Sequence, residues 1–160
     1  KLTLVRGAQS MNVFMKRAIE LALANLEEGG QPFGAVLVKD DEIIAEGVNE
    51  LHVVHDISGH AELLAIRRAQ QQLHTNDLSG YTMYASGEPC AMCLSAMYFA
   101  NIKDIFYGES IEQAANLGLG TSKFIYNELK LDKNDRTVTM QQMPIDDKSF
   151  SPIHNWKDKQ

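Results

Sequence analysis

Apolar residues along the chain follow two spacings, one typical of helices and one typical of strands. Between Val13 and Leu26 they recur every three or four positions, which predicts a helix that ends before Gly29-Gly30. Two short runs rich in β-branched residues follow, Phe33–Val38 and Ile43–Val48. The polar residues between these runs predict an antiparallel hairpin.

Helix and strand patterns alternate after the hairpin. The predicted elements are, in order, a helix over His60–His74, a strand over Tyr81–Ser86, a helix over Pro89–Ala100, a strand over Ile102–Tyr107 and a short helix over Ile111–Leu117. Weaker patterns predict a fifth strand over Arg136–Gln141 and a terminal helical turn over Ser151–Lys157. Strand–helix–strand units need crossover connections, which pair strands in parallel and put helices on both faces of the sheet. We therefore predict an α/β fold, a three-layer α/β/α sandwich with a mixed sheet.

The composition fits one globular domain. The chain has 160 residues, of which 44% are hydrophobic and 22% are charged, close to the averages for such domains. Because Met11 opens the first periodic segment, we expect a single domain over residues 11–160 and a tag or N-terminal extension over Lys1–Ser10. No stretch approaches the roughly 18 apolar residues of a membrane span, and no signal peptide is evident, which favours a cytoplasmic protein with no membrane partner.

The net charge of the chain indicates which class of partner it binds. Fifteen lysines and arginines against 21 aspartates and glutamates give a net charge of −6. Such a chain lacks the positive field that supplies most non-specific affinity for nucleic acid. We therefore expect a small-molecule substrate and no nucleic-acid partner.

Two short motifs carry candidate chemistry. His60-Ala61-Glu62 opens one predicted helix, and Pro89-Cys90-Ala91-Met92-Cys93 opens the next, with Pro89 suited to the first helical position. Cysteines three apart in a first helical turn share one face. In a parallel sheet both helix starts lie at the edge where the strands end, which is where such folds bind ligands.

One histidine and two cysteines supply three zinc ligands, which leaves the fourth position open as in catalytic sites. Glu62 is two residues from His60 and off the shared face, so it need not be a ligand and is a candidate proton carrier. Two alternatives stay open. The cysteine pair alone also fits a thioredoxin-like redox site, and His55 could complete a closed structural site of two cysteines and two histidines.

The two motifs together resemble the signature of the zinc-dependent cytidine deaminase superfamily. The resemblance is strongest to the nucleobase and tRNA-adenosine branch, and within it to the bacterial guanine deaminases. The segments that carry it, besides the two motifs, are Pro32–Val36, Ile43–Gly47, Asn49, Ala65–Arg67, Met92–Leu94 and, more weakly, Phe124–Tyr126.

The resemblance implies roles for individual residues. His60, Cys90 and Cys93 would hold one Zn²⁺ per chain, and Glu62 would shuttle protons. The implied substrate-binding residues are Phe33, Asn49, Ala61, Glu88 and Phe99. Of these, Asn49 would hydrogen-bond the ring and Phe33 would lie against it. The family also implies a cytidine deaminase-like fold with five strands, and a homodimer.

The activity that the resemblance implies is hydrolytic deamination of a free nucleobase, guanine to xanthine plus ammonia, as in purine catabolism. The alternatives are a tRNA-specific adenosine deaminase, a deaminase of cytosine or of a nucleoside, and a zinc-stabilised binding domain without turnover. One departure bears on the substrate: Thr121-Ser122-Lys123 stands where related guanine deaminases carry an acidic residue.

Overall fold

The computed structural model describes residues 11–160, so the expectation for Lys1–Ser10 lies outside the described residues. Its helices are α1 (Val13–Glu27), α2 (Ala61–Leu73), α3 (Ala91–Phe99), α4 (Ile111–Asn116), α5 (Thr121–Leu129) and α6 (Pro152–Asp158). Its strands are β1 (Gly34–Lys39), β2 (Glu42–Val48), β3 (Thr82–Gly87) and β4 (Asp104–Glu109). Short 3₁₀ turns cover Lys133–Asp135 and Lys148–Phe150. Except for the fifth strand, every predicted element is present with ends shifted by at most two residues, and α5 is an element that the sequence pattern did not predict.

The four strands form one mixed sheet in the order β2-β1-β3-β4. β1 pairs antiparallel with both β2 and β3, whereas β3 and β4 pair in parallel. The β1–β2 hairpin turns at Asp40 and Asp41, both with positive φ (50° and 59°), as a two-residue turn between twisted strands requires. The predicted α/β fold and hairpin are confirmed.

The prediction of a fifth strand over Arg136–Gln141 is wrong: among residues 11–160 the sheet has four strands. The segment instead satisfies its polar groups locally. The Arg136 guanidinium donates to the carbonyls of Glu128, Leu129 and Leu131 at the end of α5. Its apolar side chains stay in solvent, with Val138 72% exposed. An alternating pattern makes a strand only where the chain brings it against a sheet edge, and the bonds of Arg136 hold this segment at the end of α5 instead.

The helices cover the two faces of the sheet. A Cβ at Gly34 would clash with the α1 backbone at Ala18, and a Cβ at Gly47 would clash with the α2 backbone at Ala61. Gly34 pairs with Val48, the neighbour of Gly47, so the two glycines point to opposite faces. The core between the sheet and helices α2 and α3 includes Leu37, Ala65, Met83, Cys93 and Met97, all fully buried.

The topology fixes where the two chemical motifs meet. Since β2 and β3 both run antiparallel to β1, they end at the same edge of the sheet. The chain leaves that edge into α2 after β2 and into α3 after β3. The starts of the two helices therefore lie side by side, as the sequence predicts.

The chain divides into two compact units, one ending at Tyr126 and one over Asn127–Gln160. The sheet and both chemical motifs belong to the first unit. None of the helices within residues 11–160 is long and apolar enough to cross a membrane. The single domain over residues 11–160 stays a prediction.

Candidate active site

His60 is the residue that caps the start of α2. Its backbone is extended (φ −86°, ψ 150°) and its side chain makes no capping hydrogen bond to the helix. The preceding loop is tied down by a hydrogen bond from Glu50 N to the carbonyl of Gly59 (2.9 Å). The imidazole is therefore free to face the neighbouring helix from a fixed backbone position.

Cys90 holds the equivalent position at the start of α3. Its sulfur accepts a hydrogen bond from Cys93 N at 3.5 Å, so the thiol itself caps the helix. The prediction that Pro89 is the first helical residue is wrong, because the helix begins at Ala91. Cys90 has the extended backbone of a capping residue, which leaves Pro89 two residues before the first helical residue. Both cysteines are free and buried.

The two helix starts bring His60, Cys90 and Cys93 together. His60 Nδ1 lies 3.5 Å from Cys90 Sγ and 3.6 Å from Cys93 Sγ, and all three ligand atoms lie within 4.8 Å of one another. Zinc–nitrogen and zinc–sulfur bonds at a tetrahedral angle separate N and S by about 3.6 Å. The three residues therefore fit one zinc ion and leave a fourth position for another ligand.

This geometry supports neither the closed structural zinc site with His55 nor the thioredoxin-like redox site. His55 is exposed and is not a member of the ligand group formed within residues 11–160, so that group does not support the alternative of a closed site of two cysteines and two histidines. A redox pair needs no imidazole equidistant from both sulfurs. The convergence of His60 on the pair is what a metal site requires.

The cysteines polarise each other. A hydrogen bond from the Cys93 thiol, together with one from His60, lowers the pKa of Cys90 to about 4. The same bond to Cys90, with burial, raises the pKa of Cys93. The hydrogen bond with Cys90 also raises the pKa of His60. A lowered pKa favours the thiolate of Cys90, which is the form of cysteine that binds zinc.

Glu62 lies beside this group on the first turn of α2. Its side chain is almost fully buried (6% exposed), and burial raises its pKa to about 7. The nearby Cys93 thiol acts in the opposite direction and lowers the pKa of Glu62. A buried carboxyl group that is half protonated near neutral pH is well suited both to accept and to donate a proton.

Phe33 and Asn49 lie next to each other at the same edge of the sheet. Asn49 N donates to the carbonyl of Phe33 (3.2 Å). The Phe33 ring packs over Gly87, where an added Cβ would come within 2.9 Å of the ring. Gly87 ends β3 and precedes Cys90 by three residues. The Phe33 ring therefore packs against the strand end that leads into the first cysteine. The structure thus brings the two predicted ring-binding residues together at the end of the sheet that carries the ligands.

Three further predicted pocket residues have other surroundings. Ala61 is fully buried under Gly47. The carboxylate of Glu88 accepts a hydrogen bond from Ile111 N (3.1 Å), so it holds the start of α4. Phe99 is 90% exposed and ends α3, six residues beyond Cys93. Their contact with a substrate stays a prediction.

Tyr126 is a residue that the sequence did not single out. Its hydroxyl donates to the carbonyl of Pro89 (2.8 Å), and burial raises its pKa to about 12. It lines a small cavity of about 180 Å³ with Glu88, Pro89, Leu94, Ile105 and Tyr107. The only signal in the sequence was the weakly matching segment Phe124–Tyr126.

Comparisons with known proteins agree with this site. The family described as the cytidine and deoxycytidylate deaminase zinc-binding region matches residues 8–109. The guanine deaminase of Bacillus subtilis (strain 168) is 41% identical over 145 residues, which is 90% of this chain and 92% of that protein. A tRNA-specific adenosine deaminase of Aquifex aeolicus is 37% identical over 94 residues, which is 59% of this chain and 62% of that protein.

A solved structure gives the same result for the fold. The crystal structure of guanine deaminase from Bacillus subtilis superposes with a TM-score of 0.85 at 40% identity, covering 92% of this chain and 95% of that one. The match therefore includes the sheet, both helix starts and the residues that follow them. The chain belongs to the cytidine and deoxycytidylate deaminase family defined by that zinc-binding region.

Proposed function

We propose that this protein is a zinc-dependent guanine deaminase that hydrolyses guanine to xanthine and ammonia, a step of purine catabolism. The observation that carries the proposal is the convergence of His60, Cys90 and Cys93 with a buried carboxyl group, Glu62, beside them. The likeness to a guanine deaminase over 90% of the chain supports the choice of substrate. The tRNA-specific relative quoted above aligns with a shorter part of the chain.

His60, Cys90 and Cys93 would hold the zinc ion, because the imidazole nitrogen already lies at the tetrahedral spacing from both sulfurs. Zinc, when bound, supplies Lewis-acid activation of the attacking water. The two helix starts hold the ligands on backbone that is fixed by the helices themselves. The ligand residues then need little rearrangement when zinc binds.

Glu62 moves the protons of the reaction. Its carboxylate accepts a proton from the attacking water, and its carboxylic acid donates a proton to a ring nitrogen. It then takes the proton of the newly added hydroxyl group and donates it to the amino group, so that ammonia leaves as the carbon–nitrogen bond breaks and the carbon–oxygen bond becomes a carbonyl. A pKa of about 7 matches both directions of transfer at neutral pH.

Phe33 and Asn49 orient the base. The Phe33 ring offers a flat apolar face to a purine. The Asn49 side chain carries one donor and one acceptor, the complement of a polar ring edge. The backbone carbonyl of Asn49 accepts a hydrogen bond from the Asn25 side chain of α1. The Asn49 side chain donates to Gln31 Oε1 and accepts from Leu51 N, so its position is fixed before a base arrives.

A substrate panel tests the proposal. Ammonia release is measured with guanine, adenine, cytosine, guanosine, cytidine and an RNA stem-loop, using the wild type and Glu62→Gln as the matched inactive control. We expect guanine to be the best substrate, with xanthine formed in equal amount, and the RNA to be inert because the chain has a net charge of −6. Ammonia from the RNA stem-loop with every free base untouched would replace this function with tRNA editing.

We also propose that two copies of the chain associate. Large aromatic side chains at the end of α3 and on the edge strand β4 are left in solvent, namely Tyr98, Phe99 and Tyr107. Exposed aromatic surface of this kind is typical of protein interfaces. Light scattering at micromolar concentration should give the mass of two chains, and a single-chain mass would contradict the proposal.

We place the protein in the cytoplasm. Its two cysteines are free and form a metal site, not a disulfide, which suits a reducing compartment. Recovery of zinc-loaded enzyme in a periplasmic or extracellular fraction would contradict this placement.

A further inference from the structure

Asn25 is a buried polar residue outside the metal and proton-transfer machinery. It lies on the last turn of α1 and is 3% exposed. Its amide nitrogen donates to the carbonyl of Gln31 at 2.8 Å and to the carbonyl of Asn49 at 2.9 Å. Both hydrogens of the amide are therefore used, and each goes to a different loop.

The two loops are the ones that carry the predicted ring-binding residues. Gln31 O also accepts from Phe33 N (2.8 Å), so the first bond of Asn25 fixes the turn that leads into Phe33. The second bond fixes the backbone of Asn49 itself. Asn49 N in turn donates to Phe33 O (3.2 Å), which closes a ring of hydrogen bonds between the loops.

Close contacts with Gly30 and its surroundings hold the Asn25 side chain in place. Gly30 lies directly against its amide, and a Cβ there would stand 2.8 Å from Asn25 Cγ and 2.6 Å from the His52 ring. The glycine is thus required by the close approach of the side chain. Since Gly30 N also donates to the carbonyl of Asn25 (2.9 Å), the helix end and the loop lock together.

We propose that Asn25 is a positioning residue for substrate binding, which holds Asn49 and Phe33 at the spacing that a purine base needs. The inference rests on the proposed function for its substrate, although the hydrogen bonds that carry it do not. Asn25 touches no reacting atom, and its effect passes through the two loops. Its loss should weaken binding of the base in the ground state and in the transition state alike, which raises KM and leaves kcat nearly unchanged.

Asn25→Leu tests this directly, because leucine has nearly the same shape as asparagine and no amide to donate. We expect KM for guanine to rise about tenfold, the change that follows from losing one typical hydrogen bond between the displaced Asn49 and the base. Zinc content and kcat should stay near the wild-type values. Leu78→Ala is the control, since Leu78 is fully buried near the other end of the sheet and its truncation lowers Tm without touching either loop. It should keep the wild-type KM.

A double variant separates positioning from general damage. If Asn25 acts through Asn49, the KM of Asn25→Leu/Asn49→Ala should exceed that of Asn49→Ala by much less than tenfold, because the contact that Asn25 positions is already gone. If the rise in KM of the double variant equals the product of the rises in the two single variants, the proposal is overturned. A wild-type KM in folded, zinc-loaded Asn25→Leu would overturn it as well.

Hydrogen exchange gives a readout that does not depend on the substrate. Asn25→Leu should speed amide exchange over residues 30–33 and 49–51, which form the two loops. Exchange over residues 61–66 and 91–95, the first turns of α2 and α3, should stay as slow as in the wild type. Unchanged exchange in the two loops, or an equal increase everywhere, would contradict the positioning role. If the wild type does not deaminate guanine but the loops respond as expected, the proposed substrate fails and the structural link stands.

Discussion

Replacing Gly47 with alanine should displace the start of α2, the helix that carries Glu62 and follows His60. A Cβ at Gly47 would stand 3.0 Å from Ala65 N and 3.1 Å from the Ala61 carbonyl carbon, and closer still to the Ala61 oxygen. These are backbone atoms, so no side chain can rotate away and the helix itself has to retreat. Ordinary contact with the Ala61 oxygen is restored by a shift of about 1 Å.

Such a shift is large for a metal site. Ligand distances to zinc hold within about 0.2 Å, and His60 Nδ1 now stands 3.5 Å and 3.6 Å from the two sulfurs. A retreat of about 1 Å takes the imidazole out of the shared tetrahedron. We therefore expect zinc affinity to fall about 10- to 100-fold, the usual effect of disturbing groups that orient metal ligands. The metal-free protein should also lose about 1–3 kcal/mol of unfolding free energy through overpacking.

Gly34→Ala is the matched control. Its Cβ would clash with the α1 backbone at Ala18 and Ala22, on the face of the sheet opposite α2. It should lose comparable stability and keep the wild-type zinc affinity. Competition with a chelator of known affinity measures zinc binding, and urea unfolding in excess chelator measures the metal-free protein. Equal zinc affinity in Gly47→Ala and Gly34→Ala, at equal loss of stability, would refute the reasoning.

Three further changes probe the site. Cys93→Ser should purify almost free of zinc and lose the dependence of Tm on chelator, whereas zinc retained in full by elemental analysis would remove Cys93 from the ligand set. Glu62→Gln should keep zinc and fold but lose about 10²–10⁴-fold in kcat, and a near wild-type kcat would exclude its role in proton transfer. Tyr126→Phe deletes the hydroxyl that donates to Pro89 O and should lower the unfolding free energy by about 0.5–1.5 kcal/mol in urea titration; unchanged stability would show that this bond contributes nothing.

The metal site could be predicted from the sequence because its chemistry is local. The residues of each motif lie within one or two turns of a helix start, and the strand directions bring the two starts to one edge. The periodicity of Val13–Leu26 and the β-branched runs were equally informative, because burial of one face decides those elements. Pro89 was misplaced by two residues because proline is also common just outside a helix.

The remaining errors concern features that depend on distant partners. Arg136–Gln141 has a strand pattern, but whether it forms a strand depends on whether the fold brings it against a sheet edge. Its arginine instead hydrogen-bonds carbonyls at the end of α5. Asn25 looks like an ordinary residue in a helical pattern, and its bond to Asn49 joins positions 24 residues apart. Tyr126 reaches Pro89 across 37 residues. No local pattern encodes such contacts.

The central claim is that a zinc ion held by His60, Cys90 and Cys93 makes this chain a guanine deaminase. Its most direct test is a titration of the metal-free protein with zinc while xanthine formation from guanine is followed. We expect activity to rise in proportion to zinc and to stop rising at one ion per chain. Full activity in the chelated protein, or no xanthine from guanine at one bound zinc per chain, would contradict it.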